Sequence, residues 1–310
     1  MHYRRLGQTS LRVSALGLGC NNFGVIPVRQ AEATIWRALE LGINFFDTAD
    51  VYADGESERA LGKRLYGRRQ QVVLATKFGH PASRPQDGRA CSRLHVLRSA
   101  EASLRRLRTD WIDLYQIHFP DPDTPIEETL TALDALVRQG KVRYIGCSNF
   151  DSEQMAEAVT AACAGKHVRL ATFQCEYNLL ARSAETRLIP TARALELGLV
   201  PFFPLASGLL AGKYGNGVLP ADSVRARVVR QFGQRFFREE YWPKLELLRQ
   251  FCTRHGRSMA ETAIAWLLEQ PLVASVIAGA TAPQQVEQNV RALDLRIGSA
   301  GLAELDRLTA

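Results

Sequence analysis

Short apolar runs and longer segments with apolar residues three and four positions apart alternate along most of this chain. The first period marks strands buried on both faces, the second amphipathic helices. Residues 1–15 stand apart: Tyr3–Leu6, a turn at Gly7 and Leu11–Ser14 predict a β-hairpin cap. After it come strands at Leu16–Gly19, Asn44–Asp47, Val72–Thr76, Trp111–Ile117, Val142–Gly146, Ala171–Gln174, Leu199–Phe203 and Val273–Ala278. Helices are expected at 28–41, 56–66, 92–107, 126–138, from a cap at Asp151 or Ser152, at 182–197 up to Gly198, at 242–255, 258–269 and 283–292, and a last one within 298–310. Strand–helix alternation implies a parallel sheet. Eight such units predict a (β/α)8 TIM barrel, an α/β fold here carrying an N-terminal hairpin and extra C-terminal helices, with a doubly wound open sheet as the alternative. No linker divides residues 1–310, which read as a single domain. The irregular stretch 206–240 exceeds ordinary loops and reads as a covering flap.

Composition narrows the function classes. With 310 residues and 46% hydrophobic, the chain can bury a large core, and 23% charged residues argue against disorder. The +7 charge is spread out, without a basic run or an aromatic-basic platform, so nucleic acid is not an expected partner. No run approaches the roughly 20 apolar residues of a membrane helix, and the N-terminus lacks an apolar signal core. The six cysteines show no metal or C-x-x-C spacing, which points to reduced thiols in the cytoplasm and to no metal site. Oligomeric state has no signal in the sequence.

Several glycine and acidic patterns are weak. Gly17-x-Gly19 with Gly24 misplaces the third glycine of a dinucleotide fingerprint, and Gly208 to Lys213 is one residue short of a phosphate loop. Asp47, Asp50, Asp54 and Glu56 fail the calcium-loop spacing.

Three successive strand ends are more informative. Asp47 closes one strand and Tyr52 lies on the loop beyond it; Lys77 and His118 end the next two. Each residue alone has a bland reading, as a loop cap, an exposed aromatic, a snorkelling lysine or a structural histidine. Together at the C-terminal ends of consecutive barrel strands they form a proton-transfer set. An ammonium favours the phenolate of a neighbouring tyrosine, a carboxylate keeps that ammonium charged, and a histidine donor orients a carbonyl. Such a set protonates oxygen, and hydride for the carbon must come from a nicotinamide.

Phe46–Tyr52 as Phe-Asp-Thr-Ala-x-x-Tyr, Thr76-Lys77 and His118 resemble the aldo-keto reductases, and the likeness extends over essentially the whole chain. The long strap after the seventh strand resembles the branch containing potassium-channel β subunits. The resemblance implies reduction of an aldehyde or ketone with NADPH, or less often NADH. It makes Tyr52 the general acid, tuned by Lys77 and Asp47, with His118 orienting the carbonyl. It assigns the nicotinamide to Asp47, Ser148, Asn149, Gln174 and a stacking Phe202, and the pyrophosphate to Phe203, Pro204, Leu205, Ser207, Gly208 and Lys213. Gly19, Cys20 and Asn21 match first-strand contacts, and Gly279, Thr281, Gln285, Gln288 and Asn289 match the adenosine segment. That segment lacks the cation that commonly grips a 2′-phosphate, and Arg225 is a candidate substitute. Asn22, Phe23, Phe78, Phe119 and Phe150 are expected to line an apolar substrate mouth. The alternative is a nicotinamide-binding regulatory subunit with little turnover, but channel β subunits carry asparagine where this chain has His118.

Overall fold

The structure, a computed structural model, describes residues 1–83, 85–86, 88–212, 214 and 238–309. A two-stranded antiparallel hairpin, β1 (Tyr3–Arg5) and β2 (Arg12–Ser14), precedes an eight-stranded parallel sheet. Its strands are β3 (Leu16–Gly19), β4 (Phe45–Asp47), β5 (Val73–Phe78), β6 (Ile112–Ile117), β7 (Val142–Ser148), β8 (Leu170–Gln174), β9 (Gly198–Leu199) and β10 (Val276–Gly279). They follow one another in chain order, and β10 returns to pair with β3. Leu199 closes the ring by bridging Val273, with Leu199 N–H donating to Leu272 O at 3.0 Å and Ala274 N–H donating to Leu199 O at 2.8 Å. This is a TIM barrel, with the hairpin where the turn at Gly7 places it.

Side chains alternate between two cores, as the period of two requires. Phe45, Val73, Ala75, Leu114 and Ile277 fill the inside of the barrel, and the hairpin residues Leu6, Leu11 and Val13 pack into the same cluster. Phe46, Leu74, Phe78, Tyr115, Ile145 and Phe173 pack outward, with the helices. Each fully buried side chain of this kind contributes roughly 1.5–3 kcal/mol. A lone buried charge costs more than that, so polar residues inside the barrel must be paired.

Helices α1 (Val28–Glu40), α2 (Glu56–Leu65), α3 (Arg93–Leu107), α4 (Ile126–Arg138) and α5 (Ser152–Ala164) lie where the apolar spacing puts them. The cap of α5 is Asp151: its side chain accepts from Gln154 N–H while the Gln154 side chain accepts from Asp151 N–H. The expected helix 182–197 is shorter. A single turn at Ser183–Glu185 is followed by α6 (Leu188–Ala194), because the Pro190 ring would collide with the Thr186 carbonyl of a continuous helix. Gly198 opens β9 instead of ending a helix, and its missing Cβ admits Gly7 N, which would lie 2.6 Å from it. Among the described residues four more helices follow, at Tyr241–Arg254, Met259–Leu268, Pro283–Arg291 and Gly298–Thr309. Among the described residues no helix is long and apolar enough to cross a membrane.

Candidate active site

The strand period that builds the inner core also delivers polar groups to its C-terminal layer. Asp47 is two residues beyond Phe45, Lys77 two beyond Ala75, and Gln116 two beyond Leu114, so all three point inward. Lys77 is register-paired with Gln116, and Ser148 with Gln174. Around Asp47 the polar groups close on one another. Lys77 Nζ donates to Asp47 Oδ1 at 2.5 Å and to Thr48 O at 2.9 Å. Asp47 Oδ2 accepts from Gln174 Nε2 at 2.8 Å and from Gln116 Nε2 at 3.2 Å. Lys77 is 1% exposed and Asp47 2%, so this pairing is what makes either charge tolerable there.

Tyr52 follows β4 on a loop tied down by Thr48 N–H to Ala75 O at 2.9 Å and Asp50 N–H to Lys77 O at 3.2 Å. Ala53 and Asp54 sit at φ of 48° and 52°, a strained pair directly after the tyrosine. Gly24 makes room for this turn: a Cβ there would lie 2.6 Å from that of Ala53. The Lys77 ammonium lies 5.3 Å from the centre of the Tyr52 ring, and His118 meets that ring edge-on with centroids 5.9 Å apart. Asp47, Tyr52, Lys77 and His118 thus converge, as their places at the strand ends implied.

The electrostatics refine one expectation. Burial pushes the Tyr52 phenol above its ordinary value, the Lys77 charge and hydrogen bonding pull it down, and Asp47 pushes it up again. The net direction is upward, not the acidification expected from Lys77 alone, because the phenol end is crowded by protein even though the residue as a whole is partly exposed. For Lys77, burial disfavours the charge, but Asp47 and Tyr52 outweigh it and hold the ammonium above its usual value. Burial, then Lys77 and then His80, pull His118 down to about 2. His118 is therefore a neutral imidazole, and its buried Nδ1 has no hydrogen-bond partner among the described residues.

The residues expected to hold a nicotinamide form one edge of this layer. Asn149, at φ of 60°, donates from Nδ2 to His118 O at 2.9 Å and to Ser148 Oγ at 3.1 Å. With the amide nitrogens of Asn149 and Gln174 so engaged, their carbonyl oxygens remain as acceptors, and the Ser148 hydroxyl keeps a proton to donate. A carboxamide, with two N–H donors and one acceptor, is complementary to that set. Phe202 packs against the inner core with its ring partly exposed. Beyond it Phe203 stands at φ of 52°, and Ala206, Ser207 and Gly208 all take positive φ, a sharply turned backbone suited to an anion. Pro204 is buried and Leu205 half-buried in this turn. Gly19 pairs with Gly279, near whose missing Cβ lie Asn21 and Asn22, so the first strand end and the adenosine segment are neighbours. Thr281 N–H donates to Gln285 Oε1 at 2.9 Å at the start of the helix Pro283–Arg291, a helix end suited to phosphate. Gln288 is half-buried and Asn289 buried on that helix. These residues fit a nicotinamide dinucleotide. Cys20 is fully buried with Sγ toward Leu18 O, so it offers a ligand backbone only. Lys213 and Arg225 lie outside the described residues.

The expected apolar mouth changes most. Phe78 shares the outward face of β5 with Leu74 and packs on Tyr115 with centroids 4.7 Å apart, so it belongs to the helix-facing core. Phe23 is likewise sealed in that core and Phe150 nearly so, which leaves Asn22 and Phe119 partly exposed. Sequence reasoning missed Gln116, although its parity with His118 marks it as inward-facing. It also missed His80, whose ring lies 4.9 Å from that of His118. Two surface hollows of about 490 and 570 Å³ lie at the other end of the barrel, beside Asp113 and beside Arg4. Their walls are already satisfied: Asp113 pairs with Arg69 and Arg143, and the Arg4 guanidinium donates to Val273 O and Leu268 O.

Comparison with known proteins agrees with this geometry. The sequence profile described as "Aldo/keto reductase family" matches residues 15–310. The chain is 38% identical over 310 residues to "Uncharacterized oxidoreductase YrpG" of Bacillus subtilis (strain 168), covering 96% of this chain and 92% of that protein. It is 35% identical over 320 residues to "L-glyceraldehyde 3-phosphate reductase" of Escherichia coli (strain K12), covering 99% and 92%. It is also 37% identical over 302 residues to "Probable voltage-gated potassium channel subunit beta" of Oryza sativa subsp. japonica, covering 95% and 92%. With an eight-stranded barrel, a profile match across nearly its whole length and oxidoreductases among its relatives, the chain belongs to the aldo/keto reductase family, whose members act on small carbonyl compounds with a nicotinamide cofactor.

Proposed function

We propose that the protein is a cytoplasmic carbonyl reductase that uses NADPH, or NADH in its place, to turn an aldehyde or ketone reversibly into an alcohol. The single observation that carries this reading is the convergence of Tyr52, Lys77, Asp47 and His118 on one barrel rim. The cofactor, when bound, supplies the hydride. The side chains manage the oxygen. Neutral His118 donates one hydrogen bond to the carbonyl oxygen and so fixes its position. Tyr52 holds its proton at neutral pH, as its raised pKa requires, and releases it to that oxygen as negative charge builds there. Lys77 then balances the phenolate, and Asp47 keeps Lys77 charged and in place. Ser148, Asn149 and Gln174 hold the carboxamide by the complementarity described above, and Phe202 offers a stacking face.

The regulatory reading is not favoured. The acid set is complete, and relatives named as reductases or oxidoreductases match at the same level as the channel subunits. The test is consumption of NADPH and NADH with a panel of aldehydes, by the natural protein and by Tyr52→Phe. Turnover lost in Tyr52→Phe with cofactor affinity retained is the expected result. Cofactor binding without turnover on any carbonyl overturns the reading.

A further inference from the structure

His80 lies two residues past the end of β5, on the same rim as Lys77 and His118. Its ring meets His118 at 65° with centroids 4.9 Å apart, and Phe119 at 89° with centroids 5.0 Å apart. Hydrogen bonds tie the turn that follows it. Ser83 N–H and Ser83 Oγ both donate to His80 O, at 2.9 and 3.0 Å. Gly79, at φ of 80°, brings the backbone so close to Cys91 that a Cβ would lie 2.8 Å from its sulfur. Most telling is the hydrogen bond from Ala82 N–H to His80 Nδ1 at 3.0 Å. Nδ1 is thereby the acceptor, so the proton of the neutral ring sits on Nε2. Burial lowers the His80 pKa and keeps the ring neutral. Nε2–H has no hydrogen-bond partner among the described residues, and the residue is half-exposed. A fixed donor has thus been left open beside the carbonyl-orienting histidine.

The geometry points to His80 as a second substrate donor, its Nε2–H holding an oxygen on the carbon next to the reacting carbonyl, so that the enzyme selects 2-hydroxy and 2-oxo carbonyl compounds. This rests on the reductase reading above. With ring centroids 4.9 Å apart, the two imidazoles are close enough for one small substrate to reach both through vicinal oxygens, whereas an isolated carbonyl uses only one donor. The partner oxygen is an uncharged one. Lys77 is sealed and paired, so the His80–His118 pair offers neutral donors and no cation for a carboxylate or phosphate.

The test compares lactaldehyde with 2-methylpropanal, which replaces the hydroxyl by a methyl of similar size. It uses the natural protein, His80→Phe, which keeps a ring without a donor, and His80→Asn, which restores an N–H donor. Loss of one neutral hydrogen bond predicts that the ratio of kcat/KM values, lactaldehyde over 2-methylpropanal, falls roughly tenfold in His80→Phe and recovers in part in His80→Asn. A ratio unchanged in His80→Phe, including a parallel fall on both aldehydes, means that the ring only packs against His118 and overturns the inference while the reductase reading stands. Cofactor binding with neither aldehyde nor any other carbonyl reduced sinks the reductase reading and this inference with it.

Discussion

Lys77 Nζ and Asp47 Oδ1 are 2.5 Å apart, with the two side chains 1% and 3% exposed. Each charge is tolerable there only because of the other. Removing either partner, as Asp47→Asn or Lys77→Met, is expected to cost about 3–5 kcal/mol. The double variant should lose less than the sum by at least about 1 kcal/mol, read from urea unfolding. Strict additivity would mean that the two charges do not stabilise one another.

The neutral state of His118 has a kinetic consequence. With its pKa pulled from 6.5 to about 2 by burial, by Lys77 and by His80, it does not titrate across any practical assay range. The pH profile of kcat/KM should therefore show no inflection belonging to His118. An inflection close to 6.5 that vanishes in His118→Gln would contradict the neutral donor.

Asp50 behaves in the opposite sense. Burial and the nearby Glu58 push it up to about 7, against the pull of Arg106 and Lys77, and its buried Oδ1 has no partner among the described residues. The folded protein thus holds this proton more tightly than the unfolded chain does between 3.8 and about 7. The associated stability is full below the lower value and is lost as pH rises through the upper one. Asp50→Asn carries no such proton. Its stability relative to the natural protein should rise from about pH 5 to about pH 8, by roughly 1–2 kcal/mol after allowance for partial solvent screening. A pH-independent difference would place the carboxyl near its ordinary value.

Gly146 faces the barrel interior with no space for a side chain. A Cβ there would lie 2.2 Å from Thr172 Oγ1 and 3.3 Å from Gln116 Cγ. Gly146→Ala should cost about 1–3 kcal/mol by overpacking. Thr172→Ala removes the hydroxyl, which has no hydrogen-bond partner among the described residues, and should recover part of the loss in the double variant. Thermal unfolding of the three variants reads this, and a double variant no better than Gly146→Ala would locate the clash elsewhere.

Some errors were avoidable in the sequence. Phe78 follows Lys77 and so had to face away from it once Lys77 was placed inward, while Gln116, two residues before His118, had to face the same way. Pro190 likewise forbade the long helix expected at 182–197. His80 is different. Its ring direction depends on a turn at Gly79 pressed against Cys91 and on a hydrogen bond from Ala82, which no spacing in the chain reveals.

The order of strands and helices, the hairpin and the strand-end positions of Asp47, Lys77 and His118 were determined by the sequence itself, because periods of two and of three to four residues are local properties of the chain. Tertiary structure alone decided that Gln116 and Gln174 share a carboxylate with Lys77, that burial outweighs the ammonium at Tyr52, and that the His80 ring lies 4.9 Å from that of His118. Those outcomes depend on distance and on exclusion of water, and both exist only after strands far apart in the chain have closed into one ring.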